Sequence, residues 1–218
     1  MKGLQNMALN NMNQLNDMHF DVLREIGNIG QGNAASSLSQ MLGKVIDISV
    51  PSVKLLEFNE TVEYLGGPEN IVLGMLVGLK GDINGMMLYV LQQNFAAAMI
   101  KSVFGKETDS LTSLDEMDHS FIREIGNILA GSYVNAISSL TGLTIDISVP
   151  NVTVDMAGAI LAVPTVEFAQ IGDRVLFIDD SFIFGDSNDS GSEIKSNMIL
   201  VPELSSLETL FSKLGIEI

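Results

Sequence analysis

The sequence predicts an α+β fold of two duplicated halves, with an antiparallel sheet and two long helices. The first observation is an internal repeat, because residues 21–51 recur as residues 120–150. The second is that segments with helical periodicity alternate with short apolar runs typical of buried strands. The third is that two pairs of these runs read as hairpins, which favours antiparallel strands with segregated helices.

The two copies of the repeat share two identical hexapeptides. Arg24–Ile29 and Arg123–Ile128 both read REIGNI, and Ile46–Pro51 and Ile145–Pro150 both read IDISVP. A period near 100 residues is too long for one unit of a solenoid. The repeat therefore indicates a duplicated half-domain, and two halves related by a pseudo-two-fold axis are expected to carry two copies of one site.

Composition restricts the possible partners and chemistry. The chain has 218 residues, of which 46% are hydrophobic and 17% charged, as expected for a folded protein with a substantial core. A net charge of −16 argues against nucleic acid or an anionic membrane as the main partner. There are no cysteines, which excludes disulfides, thiolate metal sites and cysteine nucleophiles.

The sequence also predicts where the protein resides and how it is divided. The N-terminus lacks the apolar run of a signal peptide, and the uncharged runs 83–100 and 125–145 contain too many polar residues for membrane insertion. A cytoplasmic protein is expected. We predict a single domain over 1–218, with internal repeats at about 17–105 and 114–218 and a loosely held N-terminal extension over 1–16.

In the first half, Asp17 is predicted to cap a helix over about 18–42 that ends at Gly43. Its internal glycines each cost roughly 1 kcal/mol of helix stability, so close backbone packing is expected around them. The elements that follow are a strand over 44–58 broken at Pro51, a hairpin of 71–79 and 83–91, and a helix over 92–104.

The second half is predicted to repeat this order of helix, strand, hairpin and helix. The predicted elements are a helix over 114–141 ending before Gly142, a strand over 143–156, a hairpin of 175–184 and 193–201, and a final helix over 203–214. The pseudo-two-fold arrangement is expected to place the two long helices on separate exposed faces.

One stripe of polar residues occurs on each long helix. Asp21, Glu25 and Asn28 follow i, i+4, i+7 spacing and fall within about 60° on a helical wheel. A single stripe of this kind needs no explanation beyond an amphipathic helix. However, the Glu and Asn recur as Glu124 and Asn127 while neighbouring polar positions differ between the copies. This retention indicates a shared chemical role. The first position differs, since Ser120 replaces Asp21.

The full pattern is Asp or Ser, three residues, Glu, two residues, Asn, twenty-two residues and Pro, and it occurs twice. It resembles the signature of the CheC/CheX/FliY phosphatases, which dephosphorylate the chemotaxis response regulator CheY. With two complete sites and no added switch domain, the chain is most similar to CheC.

The resemblance implies a role for each matching residue. Asn28 and Asn127 are expected to position the attacking water, and Glu25 and Glu124 to pair with a lysine of the regulator. Asp21 and Ser120 are expected to support them, and Pro51 and Pro150 to shape the adjoining strand. The resemblance also implies Mg²⁺ on the phosphorylated partner, no cofactor of the chain's own, and CheD as a second partner.

Three other motifs are interpreted as structural. Gly30–Ala35 imitates a dinucleotide-binding G-x-G-x-x-A sequence but lies within a predicted helix. Asp186–Gly191 resembles the start of a calcium loop, yet Asn197 stands where a bidentate Glu is needed. His19 and His119 are one register apart between the copies, so a shared catalytic or metal role is not expected.

Two alternatives to a phosphatase remain open: a non-catalytic adaptor for CheY or CheD, and a component of the flagellar switch.

Overall fold

The computed structural model describes residues 9–167, 174–184 and 192–216. The helices are α1 (Asp17–Leu42), α2 (Phe58–Tyr64), α3 (Gln93–Phe104), α4 (Glu116–Thr141), α5 (Ala157–Glu167) and α6 (Leu204–Lys213). The strands are β1 (Ile46–Ile48), β2 (Ser52–Glu57), β3 (Ile71–Gly81), β4 (Gly85–Leu91), β5 (Ile145–Ile147), β6 (Asn151–Met156), β7 (Arg174–Phe184) and β8 (Ser192–Pro202). The predicted α+β class is confirmed.

The strands form one antiparallel sheet in which the two halves exchange strands. The order is β1-β7-β8-β4-β3-β5, with β2 also paired to β7 and β6 also paired to β3. Each strand that follows a long helix therefore pairs with the hairpin of the other half. The hairpins meet at the centre of the sheet, where Tyr89 of β4 lies opposite Met198 of β8.

The alternation of side chains along the central strands separates two hydrophobic cores. In β3 and β4, odd-numbered residues such as Met75 and Met87 point into the larger core, and in β7 and β8 the even-numbered residues do. Helices α1, α3, α4 and α6 also line this core. The smaller core on the opposite face contains even-numbered residues of β3 and β4, such as Val72 and Leu88, odd-numbered residues of β7 and β8, and residues of α5. The sheet is thus covered on both faces, with both long helices on the same face.

The ends of the long helices follow from local chemistry, with one correction to the prediction. The N-cap of α1 is Asn16 and not Asp17, because the Asn16 side chain accepts hydrogen bonds from the backbone N–H groups of Met18 and His19. Both helices end at a glycine in the left-handed region, Gly43 with φ 63° and Gly142 with φ 72°, as predicted.

The structure differs from the sequence-based prediction in two further places. Helices α2 and α5 were not predicted; α5 is almost entirely apolar and contains Pro164, so it lacks the polar face that identifies a surface helix. The expectation that residues 1–16 are loosely held is wrong for 9–15, because Leu9, Met12 and Leu15 are buried in the larger core. The predicted calcium-like loop at 186–191 lies outside the described residues.

The two long helices pack against each other, so the expectation of separate exposed faces is wrong. A Cβ atom added to Gly30 of α1 would lie 3.0 Å from Cα of Tyr133 of α4. This close approach is what a glycine permits, and it confirms the packing expected around the helix glycines at this position.

Over the described residues, no helix is both long enough and apolar enough to cross a membrane.

A small cavity of about 10 Å³ lies between the long helices and the sheet. Gln31, Tyr133, Asp180 and Ser196 line it, and each has a buried polar side-chain atom without a hydrogen-bond partner among the described residues. Burial raises the pKa of Asp180 well above its usual range, and the neighbouring Asp179 carboxylate raises this pKa further.

Candidate active site

The polar stripe of each long helix lies on its exposed side. Asp21, Glu25 and Asn28 are exposed, whereas Leu23 and Ile26 of the same turns are buried in the larger core. In α4 the same division holds, with Ser120, Glu124 and Asn127 exposed and Ile122 and Ile125 buried. The structure therefore presents both predicted stripes to solvent.

The Glu and Asn side chains of both stripes are available to a partner. Among the described residues, Glu25, Asn28, Glu124 and Asn127 make no hydrogen bond and no ion pair with another side chain. Residues three apart on a helix have Cβ atoms roughly 5–6 Å apart, so one docked surface can meet both members of a stripe. Each stripe thus offers the Glu carboxylate and the neutral Asn amide side by side.

Pro51 packs on α1 beneath the first stripe and is itself buried. Pro51 is buried between β1 and β2, and a Cβ atom on Gly27 would lie 3.4 Å from its Cγ atom. In the second half, Pro150 is buried in the same way, 3.4 Å from the Cβ position of Gly126. Both prolines therefore pack on the helix residue that immediately precedes the Asn.

An ion pair distinguishes the two stripes. Nη1 of Arg24 donates to Oδ1 of Asp21 at 2.6 Å on the exposed side of α1. In α4 the equivalent arginine is Arg123, and the position of Asp21 is taken by Ser120, which has no carboxylate. Among the described residues Arg123 forms no ion pair. The two sites therefore have the same Glu and Asn but a differently held arginine.

Sequence reasoning missed several exposed residues that are identical in both copies. Met18 and Met117 are 60% and 65% exposed at the start of each stripe. Val50 and Val149 are 75% and 77% exposed and immediately precede the buried prolines. Arg24 and Arg123 are also exposed. A comparison of the two copies along the whole repeat, restricted to positions without a predicted core role, could have found all of these residues.

The two stripes lie apart on the helix pair. Strands β4 and β8 pair antiparallel, so the pseudo-two-fold axis between them stands perpendicular to the sheet. Rotation about this axis makes α1 and α4, which lie across it, an antiparallel pair. Gly30 lies level with Tyr133. Asn28 and Asn127 are therefore separated by eight residues along the pair, on the order of 12 Å at 1.5 Å per residue. Glu25 and Glu124 are separated by on the order of 21 Å on the same scale. The stripes do not converge into one site.

The remaining motifs occupy structural positions. His19 is buried, where its Nδ1 accepts a hydrogen bond from the backbone N–H of Asn16 and its ring meets Phe211 edge-on. His119 is half-buried in α4. Gly30–Ala35 lies within α1, as the sequence predicted. No three His, Cys, Asp or Glu side chains of the described ranges cluster in a way that could hold a metal ion.

Comparisons with known proteins identify the family to which the two repeated segments are similar. A family model described as the CheC-like family matches residues 18–55 and 117–154, the two repeated segments. The CheY-P phosphatase CheC of Bacillus subtilis is 38% identical over 205 residues, which cover 93% of this chain and 97% of that protein. The flagellar motor switch phosphatase FliY of the same organism is 30% identical over 142 residues, 65% of this chain and 37% of FliY.

The fold comparison extends over nearly the whole chain. A crystal structure of Thermotoga maritima FliY matches with a TM-score of 0.72 and 24% identity, covering 93% of this chain and 98% of that one. At this identity the likeness concerns the fold alone. The sequence relationship with Bacillus subtilis CheC covers almost all of both proteins. The chain therefore belongs to the CheC-like family.

Proposed function

We propose that this protein is a phosphatase that hydrolyses the aspartyl phosphate of the phosphorylated response regulator CheY. One observation carries the proposal: each long helix presents an exposed Glu and Asn at the spacing of the family signature. The identity of 38% with a CheY-P phosphatase over almost the whole chain supports it. Catalysis then requires that each stripe dock on the regulator beside its phosphoryl group.

Asn28 and Asn127 are the proposed catalytic residues. Hydrolysis of an acyl phosphate needs a water molecule in line with the leaving oxygen and stabilisation of charge on the phosphoryl oxygens. By family resemblance, the regulator supplies Mg²⁺ and a lysine, so a positioned water is the missing part. A neutral amide can donate to a phosphoryl oxygen and accept from water without charge repulsion.

Glu25 and Glu124 are the proposed docking residues. Each lies one helical turn before its Asn, so an ion pair between the Glu and the regulator's lysine fixes the position of the amide over the phosphoryl group. The protein as a whole carries a net charge of −16, which favours approach of a basic surface on the partner. The two roles are complementary: Glu sets the register, and Asn orients the water.

The two sites are proposed to work in parallel. Their separation on the antiparallel helix pair leaves each Asn with its own Glu. The structural frame is nevertheless shared, because the strand after each long helix pairs with the hairpin of the other half. Each site thus depends on both halves for its shape and on one half for its chemistry.

The chemistry needs no cofactor held by this chain. The Mg²⁺ is proposed to belong to the phosphorylated regulator, so any Mg²⁺ dependence of the rate should follow the regulator's affinity for the ion. CheD is the proposed second partner.

A motor-associated binding role is the second candidate. The match to FliY of Bacillus subtilis over 65% of this chain favours it, because that protein is a motor switch phosphatase. A non-catalytic adaptor would bind phosphorylated CheY and leave its phosphate in place. Phosphate release in a single turnover separates the phosphatase from the non-catalytic adaptor, since only a phosphatase accelerates it. Association with the motor is compatible with either result, because FliY is itself a phosphatase.

The direct experiment follows the decay of radiolabelled CheY phosphate with and without the purified protein. A phosphatase is expected to shorten the half-life of the phosphoryl group in proportion to its concentration. An unchanged half-life at protein concentrations that give measurable binding supports the adaptor and rejects the phosphatase.

A further inference from the structure

We propose that Arg24 and Arg123 each bind an oxyanion of the docked regulator, and that Asp21 restrains Arg24 while Ser120 leaves Arg123 free. This inference rests on the proposed function, because it adds a third functional residue to each Glu and Asn pair. It also predicts that the site on α4 is the more active of the two.

The position of each arginine supports this role. Arg24 lies four residues before Asn28, and Arg123 lies four residues before Asn127. Side chains at this spacing are neighbours on the helix surface, with Cβ atoms about 5–6 Å apart. The Arg24 side chain is 44% exposed. A guanidinium group can therefore reach the same partner surface as the amide that orients the water.

The chemistry of the site calls for a cation at this position. By family resemblance the partner carries Mg²⁺, which proteins hold through carboxylates, so the partner offers both phosphoryl and carboxylate oxygens. The Glu and Asn of a stripe contribute one negative and one neutral group. A guanidinium group binds phosphate and carboxylate through two parallel hydrogen bonds. In a chain with a net charge of −16, a retained arginine beside each Asn counters the repulsion of an anionic ligand.

The ion pair with Asp21 makes the two arginines unequal. Asp21 and Arg24 meet at 2.6 Å with side chains 68% and 44% exposed, so the pair is weak enough to open but competes with an incoming oxyanion. Ser120 offers no charge to compete for Arg123. The ligand therefore has to displace Asp21 in the α1 site alone.

A purely structural role for the arginine does not account for both copies. If Arg24 were retained only to pair with Asp21, its equivalent should have changed when the carboxylate was absent. Arg123 is retained although residues 119, 120, 126 and 127, its helix neighbours, are His, Ser, Gly and Asn. No carboxylate is therefore available to it one turn away on α4.

The test exchanges the distinguishing residue between the two sites. Asn127→Ala leaves the α1 site as the working site, and Asn28→Ala leaves the α4 site. In the first background, Asp21→Ser should raise the rate of CheY dephosphorylation by about two- to fivefold, the range that an exposed ion pair allows. In the second background, Ser120→Asp should lower the rate by a similar factor.

Substitution of the arginine distinguishes partner binding from helix support. Arg24→Gln in the Asn127→Ala background should lower the rate by about tenfold, as expected for loss of a hydrogen bond to a charged group. Asp21→Ser and Arg24→Gln both remove the ion pair, so a structural role predicts that they change the rate in the same direction. Opposite directions support the proposal, and the same direction overturns it.

Binding measurements test the proposed role of the arginines independently of the phosphatase activity. The probes are CheY carrying beryllofluoride, which imitates the phosphoryl group, and unmodified CheY. Weaker binding of Arg123→Gln to the beryllofluoride form alone assigns the oxyanion to the phosphoryl group. An equal loss for both forms assigns it to the carboxylates. Unchanged binding to both forms overturns the inference, even if the wild-type protein proves to be a phosphatase.

Discussion

The ring of Pro51 lies against Gly27, the helix residue immediately before Asn28. A Cβ atom on Gly27 would be 3.4 Å from Cγ of Pro51, and the second half repeats the relationship between Gly126 and Pro150. This contact gives the fixed distance between Asn and Pro in the sequence a physical reason. The proline interrupts the strand and packs against the helix. The side-chain amide of the Asn next to this contact is therefore held in a defined position.

Two glycines of α1 should respond in opposite ways to replacement by alanine. Gly30→Ala places a methyl group 3.0 Å from the Cα of Tyr133 and should destabilise the protein by about 1–3 kcal/mol. Gly32→Ala meets nothing within 4 Å and should stabilise it by up to about 1 kcal/mol through helix propensity. Urea denaturation measures both values. Equal effects of the two variants would contradict the described packing of α1 on α4.

The buried carboxyl of Asp180 should make stability depend on pH. Because its folded-state pKa is raised above the unfolded value of about 3.9, the folded protein binds the proton more tightly. The resulting stabilisation is fully present below pH of about 3.9 and is lost as the pH rises toward the folded-state pKa.

Asp180→Asn removes this dependence and should therefore be more stable than the wild type at pH 7, on the order of 1 kcal/mol. The advantage should shrink as the pH is lowered toward 4. Thermal denaturation over this pH range checks the effect, with the exposed Asp146→Asn as control. A variant that is less stable than the wild type at pH 7 would show that the buried carboxylate is stabilised by its surroundings.

The site stripes could be predicted from sequence because each is local to one helix. Helical periodicity places Asp21, Glu25 and Asn28 together whatever the helix packs against. Contacts between halves could not be predicted in this way. Both halves have the same pattern of strands, so alternation indicates that β2 is paired but does not distinguish β7 from β3. The close approach of Gly30 to Tyr133 depends on how the two halves are arranged, which the sequence pattern does not determine.

The errors at single elements have equally local causes. Asn16 and Asp17 are both good N-cap residues, and the sequence does not decide which of them adopts extended backbone. The buried Leu9, Met12 and Leu15 lie among polar residues whose composition is typical of a mobile terminus. Arg24 and Arg123 belong to the shared hexapeptide but receive no predicted role, because a charged residue on an exposed helix face needs no special explanation.

The glutamates should control docking through charge. Glu25→Lys with Glu124→Lys brings like charges together at the regulator's lysine and should weaken binding of phosphorylated CheY more than the paired Gln substitutions do. Surface plasmon resonance at two ionic strengths measures the effect, which should diminish at the higher one. An affinity that is the same in the wild type and in both double variants would remove the ion pair from the account.

The two sites should contribute separately to the rate. Asn28→Ala and Asn127→Ala should each retain part of the activity, and the two remaining rates should sum to about the wild-type rate. The reason is that the two stripes are separated on the order of 12 Å or more along the helix pair. The parallel arrangement fails if either single variant is as inactive as the double variant.

The central claim is that the two asparagines perform the catalysis, and the most direct measurement is phosphate release from CheY by Asn28→Ala/Asn127→Ala. Both residues are exposed, so their replacement should change stability by no more than about 0.5 kcal/mol, which circular dichroism can verify. We predict that the double variant still binds phosphorylated CheY and leaves its decay at the rate of CheY alone. A folded double variant that accelerates the decay as the wild type does would contradict the claim.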